Sequence, residues 1–339
     1  MLRNANFRRA LAAIVISGAL FFLLASCTSR ENDYAHLLAF RQACAKALGE
    51  RSGSILVMNP HNGVLWAAVN ETLGVQKSTR PGSIFKLVTA LSLLRNGTVN
   101  PAEQFLCEGQ IEIDGKTYRC WLREGHGEQN LLQALANSCN VYFYQAVRHL
   151  PSEQLTKTAR QLLLGECTGI NFAQEDCGQL PEWVSPEESI SFAIGHARAM
   201  AVTPVQMLRL VAALANGGRL YRPFYPTGAE AWRNFRPELQ GSLPFGDELR
   251  YIKEGMRQSV VYGTSVNASV PEVIAAGKTG TAAEYFGGKT AAWFIGFAPF
   301  EKPEIAIVVF LEEGRGALDA APIGGRVFQD YFALKKNMR

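Results

Sequence analysis

The chain reads as an α+β fold, one antiparallel sheet of about five strands covered by helices. Three observations predict it. Near the start, the segment GSILVMNPHNGVLWAAVN holds two β-rich runs around Asn59-Pro60-His61-Asn62-Gly63, the pattern of a hairpin. Long stretches of helical periodicity fill the middle. Three apolar runs, Ile274 to Ala283, Ala291 to Phe297 and Glu304 to Leu311, then read as strands before a last helix from about Gly324 to Lys335. Strands at both ends of the chain meet in one sheet if the helices between them stack on it.

The 339 residues are 47% hydrophobic and 19% charged, the balance of a globular protein with a sizeable core. Residues 1–26 stand apart. Arg3, Arg8 and Arg9 precede an uncharged apolar run from Ala10 to Ala25, the pattern of an export signal. It ends in Leu24-Ala25-Ser26-Cys27, which resembles the lipobox of bacterial lipoproteins, where the cysteine is acylated. An uncleaved membrane anchor is the alternative, although the run is short for a spanning helix of about 20 residues. Either reading places the remainder outside the cytoplasm, held to a bacterial membrane through Cys27 or the run itself, on the periplasmic side in a Gram-negative cell. Without the three arginines the formal charge falls from +4 to +1, 31 basic against 30 acidic residues, which leaves no basic footprint for nucleic acid.

Residues 27–49 read as a tether and an amphipathic helix, with Leu37, Leu38, Phe40, Cys44 and Leu48 on its apolar face. Residues 50–335 form the body. After the first hairpin and Pro81-Gly82, the segment Ser83 to Leu94 carries Phe85, Leu87, Val88, Leu91 and Leu94 without a breaker, which predicts a buried helix stopped at Asn96-Gly97. QIEIDGKTYR predicts a hairpin turning at Asp114-Gly115, and Asn130 to Leu150 predicts a further helix. Thr203-Pro204 caps a helix that Gly217-Gly218 ends, and Pro223 to Pro244 reads as an irregular crossing.

Three short motifs carry chemistry: Ser83-Ile84-Phe85-Lys86, Ser138-Cys139-Asn140, and Lys278-Thr279-Gly280 followed by Thr281. Ser83 and Lys86, three apart on a predicted helix, lie on one face within a turn. A serine hydroxyl needs a base, and a lysine serves only if its pKa falls from about 10.4, as burial beside Lys278 would cause. Ser138 and Asn140 are polar groups in an apolar segment and need partners. On the predicted strand of Lys278, Gly280 removes the side chain that would keep a ligand from the backbone, and an edge strand there can take a peptide as an added strand.

The set resembles the S-x-x-K, S-x-N and K-T-G motifs of penicillin-binding proteins and serine β-lactamases. The neighbours STRPGSIFKLVTAL, LLQALANSCNVYFYQ, VTPVQM with ALANGG, and GKTGTA with AWFIGFAP are similar to transpeptidase domains of class B penicillin-binding proteins across nearly all of residues 50 to 335. The resemblance implies a β-lactamase/transpeptidase-like fold with an all-helical subdomain. It implies that Ser83 is the nucleophile, Lys86 its base, Ser138 the proton relay to the leaving amine and Asn140 the holder of the substrate amide. Lys278, Thr279 and Thr281 would bind the substrate's terminal carboxylate beside Gly280, and the backbone N–H groups of Ser83 and Thr281 would form the oxyanion hole. The implied reaction is D,D-transpeptidation on D-Ala-D-Ala stem peptides, with covalent β-lactam binding and no cofactor for acyl transfer. Other cell-wall synthesis proteins would be partners. Two departures stand out: His196 replaces the family's usual glutamine in AIGHARA, and only a short segment separates Cys27 from the first strand, where class B members carry a long pedestal.

The rival enzymatic readings are a D,D-carboxypeptidase and a class D-like β-lactamase. The rival from another class is a β-lactam sensor or cell-wall scaffold. Beyond Cys27, six cysteines in an exported chain suggest disulfides, with Cys167 and Cys177 the easiest pair. Cys107 and Cys120 flank the Asp114-Gly115 hairpin and can form a disulfide or share a metal. With His126 and Cys139 they make a Cys3His set, the donor set of a tetrahedral structural zinc, and some elongation-type penicillin-binding proteins resemble this pattern.

Overall fold

The computed structural model describes residues 34–182, 184–283 and 289–336, so the export signal and Cys27 lie outside the described residues. Helix α1 spans 34–48 and buries Leu37, Phe40, Cys44 and Leu48, whereas Leu38, placed on the apolar face by sequence, is exposed. The main sheet consists of β1 (Gly53–Met58), β2 (Leu65–Val69), β3 (Ala276–Ala283), β4 (Thr290–Ala298) and β5 (Ile305–Leu311). Its order is β2-β1-β5-β4-β3, with every pairing antiparallel. The first and last thirds of the chain therefore join where Gly53 to Met58 pairs with Ala306 to Leu311.

Every residue of β5 is buried because both faces of the sheet are covered, as a near-continuous apolar run requires. Alternate side chains enter separate cores. Ile55, Val57, Ile307 and Val309 pack with α1 and the C-terminal helix, while Leu56, Met58, Val308 and Phe310 face the helical part.

The helical part contains α2 (Lys86–Arg95), α3 (Leu131–Ala136), α4 (Asn140–Val147), α5 (Ser152–Gln161), α6 (Pro186–Ala193), α7 (Pro204–Ala215) and α8 (Asp247–Val261). The C-terminal helix α9 (Ala321–Lys336) begins earlier than its sequence signal, directly after a π-turn at Gly316–Ala320. Among the helices sit two small β-pairs, Phe105–Cys107 with Gly127–Gln129 and Gln110–Ile113 with Lys116–Arg119, the second turning at Asp114-Gly115 as expected. Thr203 caps α7 in a reciprocal capping box with Gln206, and Pro204 takes its first position.

Two further expectations change. The helix read from Asn130 to Leu150 is broken into α3 and α4, because Ser138 takes a left-handed backbone with φ of 53°. The segment Pro223 to Pro244 also holds a short helix at Ala229–Asn234 and a strand at Leu239–Ser242. Cys167 and Cys177 form the expected disulfide.

Candidate active site

The turn that carries Ser83 starts at Pro81-Gly82. Residues Gly82–Phe85 form a 3-10 turn that leads directly into α2, so Ser83 precedes the α-helix and Lys86 opens it. Ser83 is half-buried between fully buried neighbours, which leaves its hydroxyl the reachable group of this turn. Gly82 has φ of +57°, and a Cβ there would lie 2.7 Å from the Thr281 carbonyl oxygen. Only glycine lets the turn approach β3 so closely.

Lys86 is fully buried, and its Nζ donates to the Ser138 carbonyl at 2.7 Å, to Ser138 Oγ at 3.2 Å and to Asn140 Oδ1 at 2.6 Å. The break between α3 and α4 makes this cage. With Ser138 in the left-handed region, its carbonyl and its hydroxyl both reach one ammonium, which an unbroken helix would not allow. Burial lowers the Lys86 pKa to about 8, against the opposing pull of Cys139, Cys120 and Cys107 if these carry negative charge. A usable fraction of Lys86 is thus a free amine near neutral pH. Asn140 is partnered at both ends, since its Nδ2 donates to the Arg119 carbonyl at 3.4 Å.

Strand β3 is the edge of the sheet. Lys278 is fully buried, and burial first and the Lys86 charge second push its pKa well below the ordinary lysine value. The repulsion between the two lysines therefore registers on Lys278. Its Nζ donates to the Thr279 carbonyl at 3.0 Å. Thr279 Oγ1 donates to Thr264 Oγ1 at 2.8 Å, and Thr281 Oγ1 accepts the Gly316 N–H at 3.0 Å.

Nothing in the sequence flagged Thr264. It lies just past α8, and its N–H donates to the Ala136 carbonyl at 3.0 Å, tying the K-T-G strand to the end of α3. His196 was noticed only as a departure from a pattern, and it belongs to the site. It is partly exposed, and the residue before it meets the Ser83 turn, since the Gly82 N–H donates to the Gly195 carbonyl at 3.0 Å.

Behind the second motif, Cys107, Cys120, His126 and Cys139 bring one ligand atom each within 4.8 Å of one another. Cys107 and Cys120 are free thiols, so the disulfide alternative is not taken. His126 Nδ1 lies 3.6 Å from Cys107 Sγ and 3.5 Å from Cys120 Sγ. Backbone amides point at the sulfurs: Asn140 N–H donates to Cys120 at 3.3 Å and Tyr142 N–H to Cys139 at 3.4 Å. The neighbouring Cys120 and burial hold the Cys139 thiol up, while the neighbouring Cys139 holds the Cys120 thiol down.

The comparisons with known proteins agree with this geometry. The family model described as the penicillin binding protein transpeptidase domain matches residues 53–331. The chain is 32% identical to stage V sporulation protein D of Bacillus subtilis, over 84% of this chain and 48% of that one. It is 30% identical to the peptidoglycan D,D-transpeptidase MrdA of Acinetobacter baumannii, over 88% of this chain and 52% of that one. The chain thus spans about half the length of these curated relatives. Among solved structures, penicillin-binding protein PBP2 of Helicobacter pylori in complex with MreC superposes with a TM-score of 0.79 at 25% identity, covering 88% of this chain and 63% of that one. Pseudomonas aeruginosa PBP2 in complex with WCK 5153 superposes with a TM-score of 0.76 at 25% identity, covering 86% and 76%. Fold, motif geometry and sequence similarity converge: the chain belongs to the family of penicillin-binding protein transpeptidase domains.

Proposed function

We propose that the protein is a D,D-transpeptidase that cross-links peptidoglycan through a Ser83 acyl-enzyme. The observation that carries this reading is the buried Lys86, caged by Ser138 and Asn140 and reduced to a pKa of about 8 one turn from Ser83. As a free amine, Lys86 takes the Ser83 proton while Oγ attacks the carbonyl of the penultimate D-alanine. The oxyanion is received by the N–H groups of Ser83 and Thr281, each such donor being worth about 2.7 to 4 kcal/mol. Collapse breaks the C–N bond, and the leaving D-alanine nitrogen takes its proton through Ser138 Oγ, which lies 3.2 Å from Lys86 Nζ. An amine of a neighbouring stem peptide then attacks the ester, loses a proton along the same path and releases Ser83. Lys278, with Thr279 and Thr281, receives the terminal carboxylate beside Gly280. A β-lactam acylates the same serine and stays.

The Cys107, Cys120, His126 and Cys139 set supports a structural zinc. Three thiols and one imidazole are a standard tetrahedral zinc shell, with metal–ligand distances of about 2.0 to 2.3 Å that a 4.8 Å cluster accommodates. His126 Nε2 is buried without a partner, which leaves Nδ1 as the atom turned to the sulfurs. Such an ion would hold the α3–α4 break and take no part in acyl transfer.

Anchoring through an acylated Cys27, with the catalytic body outside the cytoplasm, rests on the sequence of residues 1–27. Among the described residues no helix is long and apolar enough to cross a membrane. Docking with other cell-wall synthesis proteins is likewise proposed; the Helicobacter pylori relative was solved with MreC.

Labelled penicillin tests the reading when followed by a peptidoglycan dimer assay. The expected result is a covalent adduct on Ser83, none in Ser83→Ala, and a cross-linked product. An adduct that survives in Ser83→Ala defeats the assignment, and rapid β-lactam turnover without cross-linking replaces it with a hydrolase.

A further inference from the structure

The hydroxyl of Thr279 does not stand alone on its strand. Thr279 is buried on β3, and its Oγ1 donates to Thr264 Oγ1 at 2.8 Å. A hydroxyl carries one hydrogen and two lone pairs, so a Thr279 hydrogen spent on Thr264 leaves only acceptor capacity. Thr264 Oγ1 passes its own hydrogen to the Ala136 carbonyl over a long 3.4 Å. That carbonyl has a better donor in the Thr264 N–H at 3.0 Å. The hydroxyl bond to Ala136 is therefore the weakest link of the chain and the one most easily given up.

The backbone of Thr264 is fixed without that link. A Cβ on Gly263 would lie 2.2 Å from the Ala136 carbonyl oxygen, so only glycine lets this loop come so close to the end of α3. On the other side, the Ser265 N–H donates to the Ser259 carbonyl at 3.0 Å, and Ser259 Oγ donates to Ser265 Oγ at 2.8 Å between two fully buried serines. Thr279 is held in turn by its pairing with Phe294 on β4. Turning the Thr264 hydroxyl thus moves a hydrogen and leaves the backbone in place.

We propose that Thr264 is a positioning residue, a reversible hydrogen-bond relay that aims the Thr279 hydroxyl at the terminal carboxylate of the substrate. The inference rests on the carboxylate site proposed above. An ionised carboxylate only accepts hydrogen bonds, so its arrival turns the Thr279 hydrogen toward it. Thr264 then turns its own hydrogen from Ala136 to Thr279 Oγ1, along the same 2.8 Å contact in the opposite sense. No proton leaves either oxygen. One 3.4 Å contact is exchanged for a charge-assisted bond, and the Ala136 carbonyl keeps the Thr264 N–H. Donation from Thr264 polarises the Thr279 hydroxyl and strengthens its bond to the carboxylate. Thr264 acts on the substrate only through Thr279.

A fluorescent penicillin supplies the carboxylate, and its methyl ester removes the charge while keeping the rest of the molecule. Stopped-flow acylation of Ser83 gives the affinity of the preceding complex for each, and labelling at long times counts the folded sites. Thr264→Val deletes the hydroxyl at nearly constant size. It is expected to weaken binding of the acid about threefold to tenfold and to leave the ester within about twofold of wild type. Thr264→Ser should keep the wild-type ratio of acid to ester affinity, and in a Thr279→Val background Thr264→Val should not change that ratio. A merely loosened loop would weaken acid and ester alike. The relay is overturned if Thr264→Val keeps the wild-type ratio, if Thr264→Ser loses it as Thr264→Val does, or if the loss persists on Thr279→Val. Thr264→Ala is a second hydroxyl-free variant; if neither it nor Thr264→Val gives labelled sites, Thr264 is structural and the relay fails. A wild-type protein that binds acid and ester equally overturns the carboxylate site and the relay together. One that leaves Ser83 unlabelled overturns the acyl-enzyme reading and, with it, the relay.

Discussion

Lys86 and Lys278 are both fully buried in one site, yet their surroundings differ. Lys86 is surrounded by three oxygen acceptors from the α3–α4 break, whereas Lys278 donates to a single carbonyl on its own strand. Burying an ammonium costs several kcal/mol unless partners replace water. The cage around Lys86 supplies those partners, and burial lowers its pKa to about 8 against the opposing pull of Cys139, Cys120 and Cys107. Lys278 has one such partner, and burial followed by the Lys86 charge pushes its pKa well below the ordinary lysine value. The difference assigns the work. In the proposed reaction, Lys86 exchanges a proton near neutral pH, and Lys278 gains its missing partner when a substrate carboxylate arrives.

The largest effect expected from this contrast is on Lys86. Replacing it by methionine removes the base, and acylation of Ser83 by penicillin should fall about 10^2 to 10^4-fold in rate with little change in initial affinity. Lys278→Met should act differently, weakening the initial complex with carboxylate-bearing penicillins about tenfold to a hundredfold, as loss of a buried charge-assisted contact does. A rate loss without an affinity loss in Lys278→Met would erase the distinction between the two lysines. A milder effect is expected from Asn140→Ala. It removes an acceptor that favours the ammonium, so the Lys86 pKa falls and the rising limb of the acylation profile moves to lower pH. A titration series shows the direction, and a shift to higher pH would break the cage argument.

The smallest effect concerns proton uptake. Because the Lys278 pKa is depressed in the free protein, a bound carboxylate raises it, and binding takes up protons wherever the free pKa lies below the working pH. Calorimetry of a carboxylate ligand in two buffers of different ionisation enthalpy measures this uptake. It should vanish in Lys278→Met.

The two lysines also mark how far the sequence could be read. Lys278 was placed correctly on an edge strand, since the residues around it form a run of small and apolar residues. Ser83 and Lys86 were placed on one turn, although that turn is 3-10 where it holds the serine. The cage was not legible. Residues 130 to 150 keep helical periodicity through Ser138, and only tertiary contacts, including Thr264 against Ala136, hold the left-handed break there. Helix α8 also escaped, because Asp247, Glu248, Arg250, Lys253, Glu254 and Arg257 obscure the buried positions Leu249, Ile252, Met256 and Val260. His196 stood out only as a departure from the family pattern, and the backbone bond from Gly82 to Gly195 that brings its loop to the Ser83 turn joins segments far apart in the chain. The cysteine cluster, by contrast, was visible from ligand types and a hairpin, and the fold brings all four residues together.

The most direct test of the central claim is the pH dependence of single-turnover acylation of Ser83 by penicillin, from about pH 6 to 10, with the adduct mapped by mass spectrometry. Free Lys86 amine is required, so the rate should rise with pH through a midpoint near the Lys86 value of about 8 and then level off. The rise should persist in Lys278→Met and disappear in Lys86→Met. A flat profile, or a rise that survives in Lys86→Met, would contradict the assignment of Lys86 as the base that activates Ser83.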